Sequence, residues 1–272
     1  LHLSIRRQRQ MCIRDRPNKN ISNALFKAYR SRRPIDFVSE SYQISEEEAY
    51  LNQDDLLEQL KFKDNTYVAG YKVSMTSKTT QAIANTNEPA YGTILSNNIL
   101  KNGDSVSLSS LFSPLLEPEI MFIVKEDLPY DADLQTIVLN TQIAAGIEIP
   151  DARYKNWFPN FTLGDLISDN TATGMIVVGE SVTPLDIDAF ANVDLNLYKD
   201  NELIATGSSS EVLGNPVHAV HWLIKKLHSH GKQLKKGQMI SSGTFISPLK
   251  LEFGTYRAEY SGIGTVEFTV SK

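Results

Sequence analysis

The sequence predicts an α+β fold, a short helical preface followed by a mixed, mostly β body. Three observations carry this. Two amphipathic helical patterns precede Thr66, short β-type runs bounded by turn residues dominate after it, and strands and helices never settle into regular βαβ alternation. Residues 21–33 read as a helix ended before Pro34, with Ile21, Leu25 and Ala28 on one face. Ser45-Glu46-Glu47-Glu48 is a capping box, and Ala49, Leu56, Leu57 and Leu60 form the apolar stripe of a helix running to about Phe62. Residues 67–75 are β-rich and lead to a short polar helix over 78–84. Further β-type runs cover 91–95, 105–108, 119–124 and 174–178. Residues 131–144 are helical by propensity and spacing. Residues 193–198 and 202–205 flank Lys199-Asp200-Asn201, a hairpin. Asn215 as N-cap and Pro216 in the first turn open the clearest helix, with Val217, Val220, Ile224 and Leu227 inward and Gly231 ending it. Val266, Phe268 and Val270 alternate with Thr265, Glu267 and Thr269 in a last strand. The chain thus divides into a tail (1–16), a helical segment (17–65) and a mixed β domain (66–272).

Composition narrows the function classes. Among 272 residues, 41% are apolar and 22% charged, which suits a globular protein and is too apolar for disorder. The single cysteine, Cys12, removes disulfide frameworks and thiolate zinc sites together. No apolar run approaches the ~20 residues of a membrane helix, and no charged n-region leads into an apolar h-region. These features predict a cytoplasmic, reduced protein. The net charge of −5 hides a basic head, in which Arg6, Arg7, Arg9, Arg14 and Arg16 face only Asp15. Without it the body is more acidic still, a poor match for nucleic acid. The head reads as a tail outside the fold.

Chemistry concentrates in Leu116-Glu117-Pro118-Glu119-Ile120, running into an apolar strand. Glutamates at i and i+2 of an extended segment point to one side of a sheet, and Glu119 opens an apolar run that leads inward. Two carboxylates so close repel unless one is protonated or a cation lies between them. Glu148 interrupts a second apolar run, residues 145–151. Three glutamate oxygens without histidine or thiolate are hard ligands, suited to Mg²⁺ or Mn²⁺ with positions left for water and a chelating substrate. The residues alone leave another reading open, in which each glutamate is a solvated strand-edge charge. His218 and His221, at i and i+3, read as the polar side of their helix. Gly214-Asn215-Pro216 reads as a cap, and Lys72 as a solvated strand lysine.

A wider set of motifs occurs in order: Gly70-Tyr71-Lys72-Val73-Ser74-Met75-Thr76-Ser77, Glu88-Pro89-Ala90-Tyr91-Gly92, Glu117-Pro118-Glu119-Ile120, Gly146-Ile147-Glu148-Ile149-Pro150-Asp151-Ala152-Arg153, Ser168-Asp169-Asn170, Leu213-Gly214-Asn215-Pro216 and Ser241-Ser242-Gly243-Thr244. The set resembles the 2-keto-4-pentenoate hydratase and 4-oxalocrotonate decarboxylase family of the fumarylacetoacetate hydrolase superfamily, from about Ile21 to the C-terminus. The resemblance implies a mixed, rolled β-sheet core of the fumarylacetoacetate hydrolase C-terminal type, preceded by short helices. It implies Glu117, Glu119 and Glu148 as ligands of Mg²⁺ or Mn²⁺, Lys72 as the active-site lysine, and Asp169, Asn170, Gly243 and Thr244 at the substrate pocket. The activity it implies is a hydratase, a carbon–oxygen lyase of aromatic or meta-cleavage catabolism. Water would be added to a 2-hydroxy-2,4-dienoate to give a 4-hydroxy-2-oxo acid, with a homo-oligomer as the assembly. The alternatives are decarboxylation of a 2-oxo-enedioate such as 4-oxalocrotonate, or metal binding without catalysis. Two positions depart from the family pattern. Family hydratases commonly carry aspartate where Ala90 stands, so Glu88 is the nearest acid to replace it, and Thr171-Ala172-Thr173 follows the Asp-Asn pair.

Overall fold

The computed structural model describes residues 16–272. The expected tail over 1–16 therefore lies, Arg16 apart, outside the described residues. Asn18 caps α1 (Lys19–Ser31) by accepting from the Asn20 N–H, and Arg32 closes it in the left-handed conformation, just ahead of Pro34. Ser45 opens α2 (Glu46–Asp64) with the expected reciprocal box, its hydroxyl accepting from Glu48 and the Glu48 carboxylate accepting from the Ser45 N–H. The buried Gln53 of α2 donates to the carbonyls of Tyr91 and Ile167, and Tyr50 accepts from the Tyr91 N–H, so buried polar groups tie the helical preface to the β body.

The body contains β1 (Val68–Ser74), α3 (Lys78–Ile83), β2 (Ala90–Leu95), β3 (Ile99–Lys101), β4 (Ser105–Ser107), β5 (Leu115–Val124), α4 (Leu134–Leu139) and β6 (Thr141–Ile149). It continues through α5 (Trp157–Asn160), α6 (Leu163–Ser168), β7 (Met175–Val182), β8 (Asp194–Lys199), β9 (Glu202–Ser208), α7 (Pro216–Ser229), β10 (Met239–Thr244), β11 (Leu249–Lys250), β12 (Gly254–Tyr260) and β13 (Gly264–Ser271). Among the described residues the strands form two mixed sheets. The larger runs β2-β1-β10-β5-β6-β7-β3, with β11 beside β5, and the smaller runs β4-β13-β12-β8-β9. Tyr260 of β12 donates its hydroxyl to the Gly146 carbonyl of β6 at 2.6 Å, joining the sheets through the core. No helix among the described residues is long and apolar enough to cross a membrane.

Most expected elements appear where the sequence places them. Asp200 and Asn201 both take positive φ (51° and 69°), the requirement of a two-residue hairpin turn with the strands' own twist. One expectation fails. Residues 131–144 are not one helix: α4 stops at Leu139, and Thr141 begins strand β6 of the large sheet. Ala144 and Ala145 favour a helix locally, but β6 lies between β5 and β7 and is buried on both faces. Pairing on two sides and burial outweigh a few tenths of a kcal/mol of propensity. Strands β10 and β12 were not anticipated. In β12, Tyr256, Ala258 and Tyr260 alternate inward and carried the usual signal, whereas Ser241-Ser242-Gly243 in β10 has no alternation to read.

Candidate metal centre

Register assembles the site. Strands β5 and β6 pair antiparallel with Glu117 opposite Glu148 and Glu119 opposite Gly146, so all three carboxylates leave one face of the sheet. Gly146 carries no side chain where one would collide, since a Cβ there would stand 2.3 Å from Met121 Cγ. Carboxylate oxygens of Glu117, Glu119 and Glu148 lie within 4.8 Å of one another. Glu119 and Glu148 are buried and Glu117 is partly exposed. On the other flank, β1 pairs parallel with β10 and β10 antiparallel with β5, aligning Lys72 with Ser241 and Ser241 with Met121. Lys72 is thereby buried on the same face, its Nζ 2.8 Å from Glu148 Oε1. It is not the solvated strand lysine of the residue-level reading.

Strand β10 also holds Glu119 in place. The Ser241 hydroxyl donates to Glu119 Oε2 at 2.5 Å and the Gly243 N–H donates to the same oxygen at 2.8 Å. That amide is presented by an irregularity between Ser241 and Thr244, where Gly243 takes φ +123° and a Cβ would approach Thr76 Oγ1 to 2.5 Å. Only glycine fits both conditions.

Apart from the Lys72 ion pair, both Glu148 oxygens and Glu119 Oε1 are buried without a hydrogen-bond partner. Orphaned buried oxygens of this kind are costly, and several in one cluster call for a cation. The donor set is entirely carboxylate, which fits a hard divalent ion. Burial, then the Glu148 charge, pushes Glu117 up to about 8, against the opposing pull of Lys72. Burial, then the charges of Glu148 and Glu117, raises Glu119 well above the usual carboxylate range, against the hydrogen bonds from Ser241 and Gly243. Burial also disfavours the Lys72 ammonium, but Glu148 and Glu117 outweigh it and hold Lys72 charged. A raised carboxyl means that the folded state binds more protons than the unfolded state. Metal-free protein should therefore lose stability as pH rises through the window from 4.5 to about 8. Thermal melts with chelator should show that slope and melts with Mg²⁺ should flatten it; parallel curves would dissociate the carboxylates from cation binding.

An inner cavity lies over this face, lined by Lys72, Ser74, Glu117, Trp157, Thr171 and Ala172 among others. Through Thr80, Ile83, Phe158 and Pro248 it continues into an outer cleft of about 610 Å³. Thr244 sits on that cleft, while Gly243 works beneath Glu119. Asp169 and Asn170 are placed otherwise than expected. Asp169 is fully buried and held by Arg153, accepting from its backbone N–H at 2.8 Å and its Nε at 2.5 Å. Asn170 exchanges two hydrogen bonds with the Thr93 backbone. Both brace the wall whose cavity face is Thr171 and Ala172, because the chain turns through positive φ at Asn170, Thr171 and Ala172. Glu88, the acid nearest Ala90, accepts from Lys226 at 2.9 Å beside Trp222 and lines neither the inner cavity nor the outer cleft. Ala90 is buried opposite Ser74. His218 is exposed on α7. Sequence reasoning missed Ser241 as the brace of Glu119, and Trp157, Phe158, Ile83 and Pro248 as cavity walls. None of these carries a local signal.

No family model matches the chain. Similarity to whole proteins is extensive. The chain is 30% identical over 231 residues to the 2-hydroxyhexa-2,4-dienoate hydratase of Comamonas testosteroni, covering 83% of this chain and 86% of that protein. The chain belongs to the 2-keto-4-pentenoate hydratase family. Other members include the 2-oxo-hept-4-ene-1,7-dioate hydratase of Escherichia coli, 29% identical over 90% of this chain and 95% of that protein. The 2-keto-4-pentenoate hydratase of Burkholderia vietnamiensis is 29% identical over 75% and 79%. Among solved structures, 4-oxalocrotonate decarboxylase from Pseudomonas putida G7, complexed with magnesium and adipate, aligns with a TM-score of 0.85 at 21% identity, over 92% of this chain and 96% of that one. Fumarylpyruvate hydrolase from Pseudomonas aeruginosa, in complex with Mn²⁺ and pyruvate, aligns at 0.56 and 11%, over 74% and 88%. These likenesses establish the α+β fold of the fumarylacetoacetate hydrolase type that the motif set implied.

Proposed function

We propose that this family member is a divalent-metal-dependent hydratase, a carbon–oxygen lyase that adds water to a 2-hydroxy-2,4-dienoate and yields a 4-hydroxy-2-oxo acid. The carrying observation is the convergence of Glu117, Glu119 and Glu148 within 4.8 Å, with orphaned buried oxygens, beneath a cavity that Lys72 also lines. Sequence similarity to named hydratases supports the reaction class. Glu117, Glu119 and Glu148 would hold Mg²⁺ or Mn²⁺, which supplies Lewis-acid polarisation of the substrate's 2-oxygen and an anchor for its carboxylate.

The chain's own groups do the rest. Lys72, held charged and fixed by Glu148, donates a hydrogen bond to the 2-oxygen as negative charge gathers there. Ketonisation carries the proton of the 2-hydroxyl to C5 and leaves a conjugated 2-oxo-3-enoate, electrophilic at C4. Hydroxyl then adds at C4 and a proton at C3. Ser74 and Thr80 line the same space and are placed to hydrogen-bond the incoming water. Trp157 forms a rigid wall, its Nε1 donating to the Ser113 carbonyl at 2.8 Å. With Glu88 engaged by Lys226, the ionisable groups lining the inner cavity are Lys72 and Glu117, and proton movement is assigned to them.

The test is a side-by-side assay of 2-hydroxypenta-2,4-dienoate and 4-oxalocrotonate with Mg²⁺, with Mn²⁺ and with chelator. Loss of dienol absorbance that requires metal supports hydration. Release of CO₂ from the enedioate without hydration of the dienol would replace this reading with decarboxylation.

A further inference from the structure

The relatives divide by the far end of the substrate. One is named for a 1,7-dioate, with a second carboxylate, and another for a hexadienoate, which ends in a methyl group. At 29% and 30% identity, overall similarity does not choose between them. The outer cleft does.

A substrate anchored by its 2-oxo acid end over Glu117 and Lys72 extends through the gap at Ile83, Phe158 and Pro248 into the outer cleft. Beyond the gap stand Phe245 and Ile246, and no lysine, arginine or histidine lines the cleft. Its one ionisable lining residue is Glu211, an acid. The inner cavity's cation, Lys72, is already committed to Glu148. A second carboxylate arriving here would shed water in passing Ile83, Phe158 and Pro248 and would then meet hydroxyls such as those of Ser77, Thr206 and Ser247 but no cation, with the like charge of Glu211 beside it, so its desolvation is only partly offset. A short alkyl end loses nothing by the same move and gains apolar contact.

We propose that the outer cleft selects dienoates whose distal end is uncharged, with the apolar gap and Glu211 turning away a second carboxylate. This rests on the hydratase reading for its substrate, but it is tested by binding. Calorimetry in the presence of Mg²⁺ compares 2-oxohexanoate with 2-oxoadipate, which differ in the distal carboxylate. The monoacid should bind about tenfold tighter or better. Glu211→Gln should narrow that gap, and Ile246→Lys should close or reverse it. Ile83→Lys on α3 repeats the reversal from a different element, should the first lysine variant not fold. Equal or tighter binding of the diacid, binding of neither acid, or a gap unmoved by all three substitutions overturns the proposal. The two readings fail differently. An intact binding gap without turnover of any dienoate defeats the hydratase assignment alone, and turnover without a gap defeats this one alone.

Discussion

Glu119→Gln and Glu148→Gln should each lower metal-dependent turnover by about 10³-fold or more while unfolding remains cooperative. The amide keeps the shape of the carboxylate and, at position 119, can still accept from Ser241 and from the Gly243 N–H. What it loses is charge, and the site's function depends on charge. The two variants should differ in stability without metal. In chelator, Glu119→Gln removes a carboxyl whose charge burial and its neighbours already disfavour, so the melting temperature should hold or rise, whereas Glu148→Gln leaves the buried Lys72 ammonium without its partner at 2.8 Å and should lower it. With Mg²⁺ the wild type should gain stability by binding, and the variants should gain little. Activity assays and paired melts check both statements, and wild-type rates in either variant would remove these glutamates from the mechanism.

Lys72→Met should be the second large effect. It removes the ammonium 2.8 Å from Glu148 and leaves a buried carboxylate cluster without its cation. Breaking one side of a buried pair costs about 3–5 kcal/mol, so metal-free protein should melt much earlier or fail to fold. Added Mg²⁺ should restore most of that stability, because it replaces the lost positive charge. Turnover should stay down by about 10²-fold, because nothing then donates to the 2-oxygen. If Mg²⁺ restored stability and rate together, Lys72 would be a structural counter-ion and no more.

Much of the fold was legible because its signals are local. The capping box at Ser45 and Glu48, the Asn215-Pro216 helix start and the alternation of Val266, Phe268 and Val270 each depend on neighbours within a few residues. The errors have the opposite character. Residues 141–144, read as the end of a helix, joined the strand β6 because β5 and β7 take both edges of it. Ser241-Ser242-Gly243 became a strand because it lies between β1 and β5, where burial on both faces removes any periodicity.

The candidate site divides in the same way. The sequence by itself supplied the types and spacing of the chemistry: two glutamates one pleat apart, a third in an apolar run, and hard oxygen donors without nitrogen or sulfur. Ordered motifs supplied the family. Only the tertiary structure decided that Glu148 faces Glu117, that β10 carries Ser241 and Gly243 to Glu119, and that Lys72 points inward. It also decided that Asp169 braces Arg153 where the motif had suggested a pocket residue, and that Glu88 is drawn off by Lys226. The physical reason is register. A strand's side-chain period is two, so one residue of slip between sheet neighbours would send the strand-borne groups, Lys72, Glu117, Glu119, Glu148 and Ser241, to the other face, and pairing between distant strands is written in no single stretch of chain.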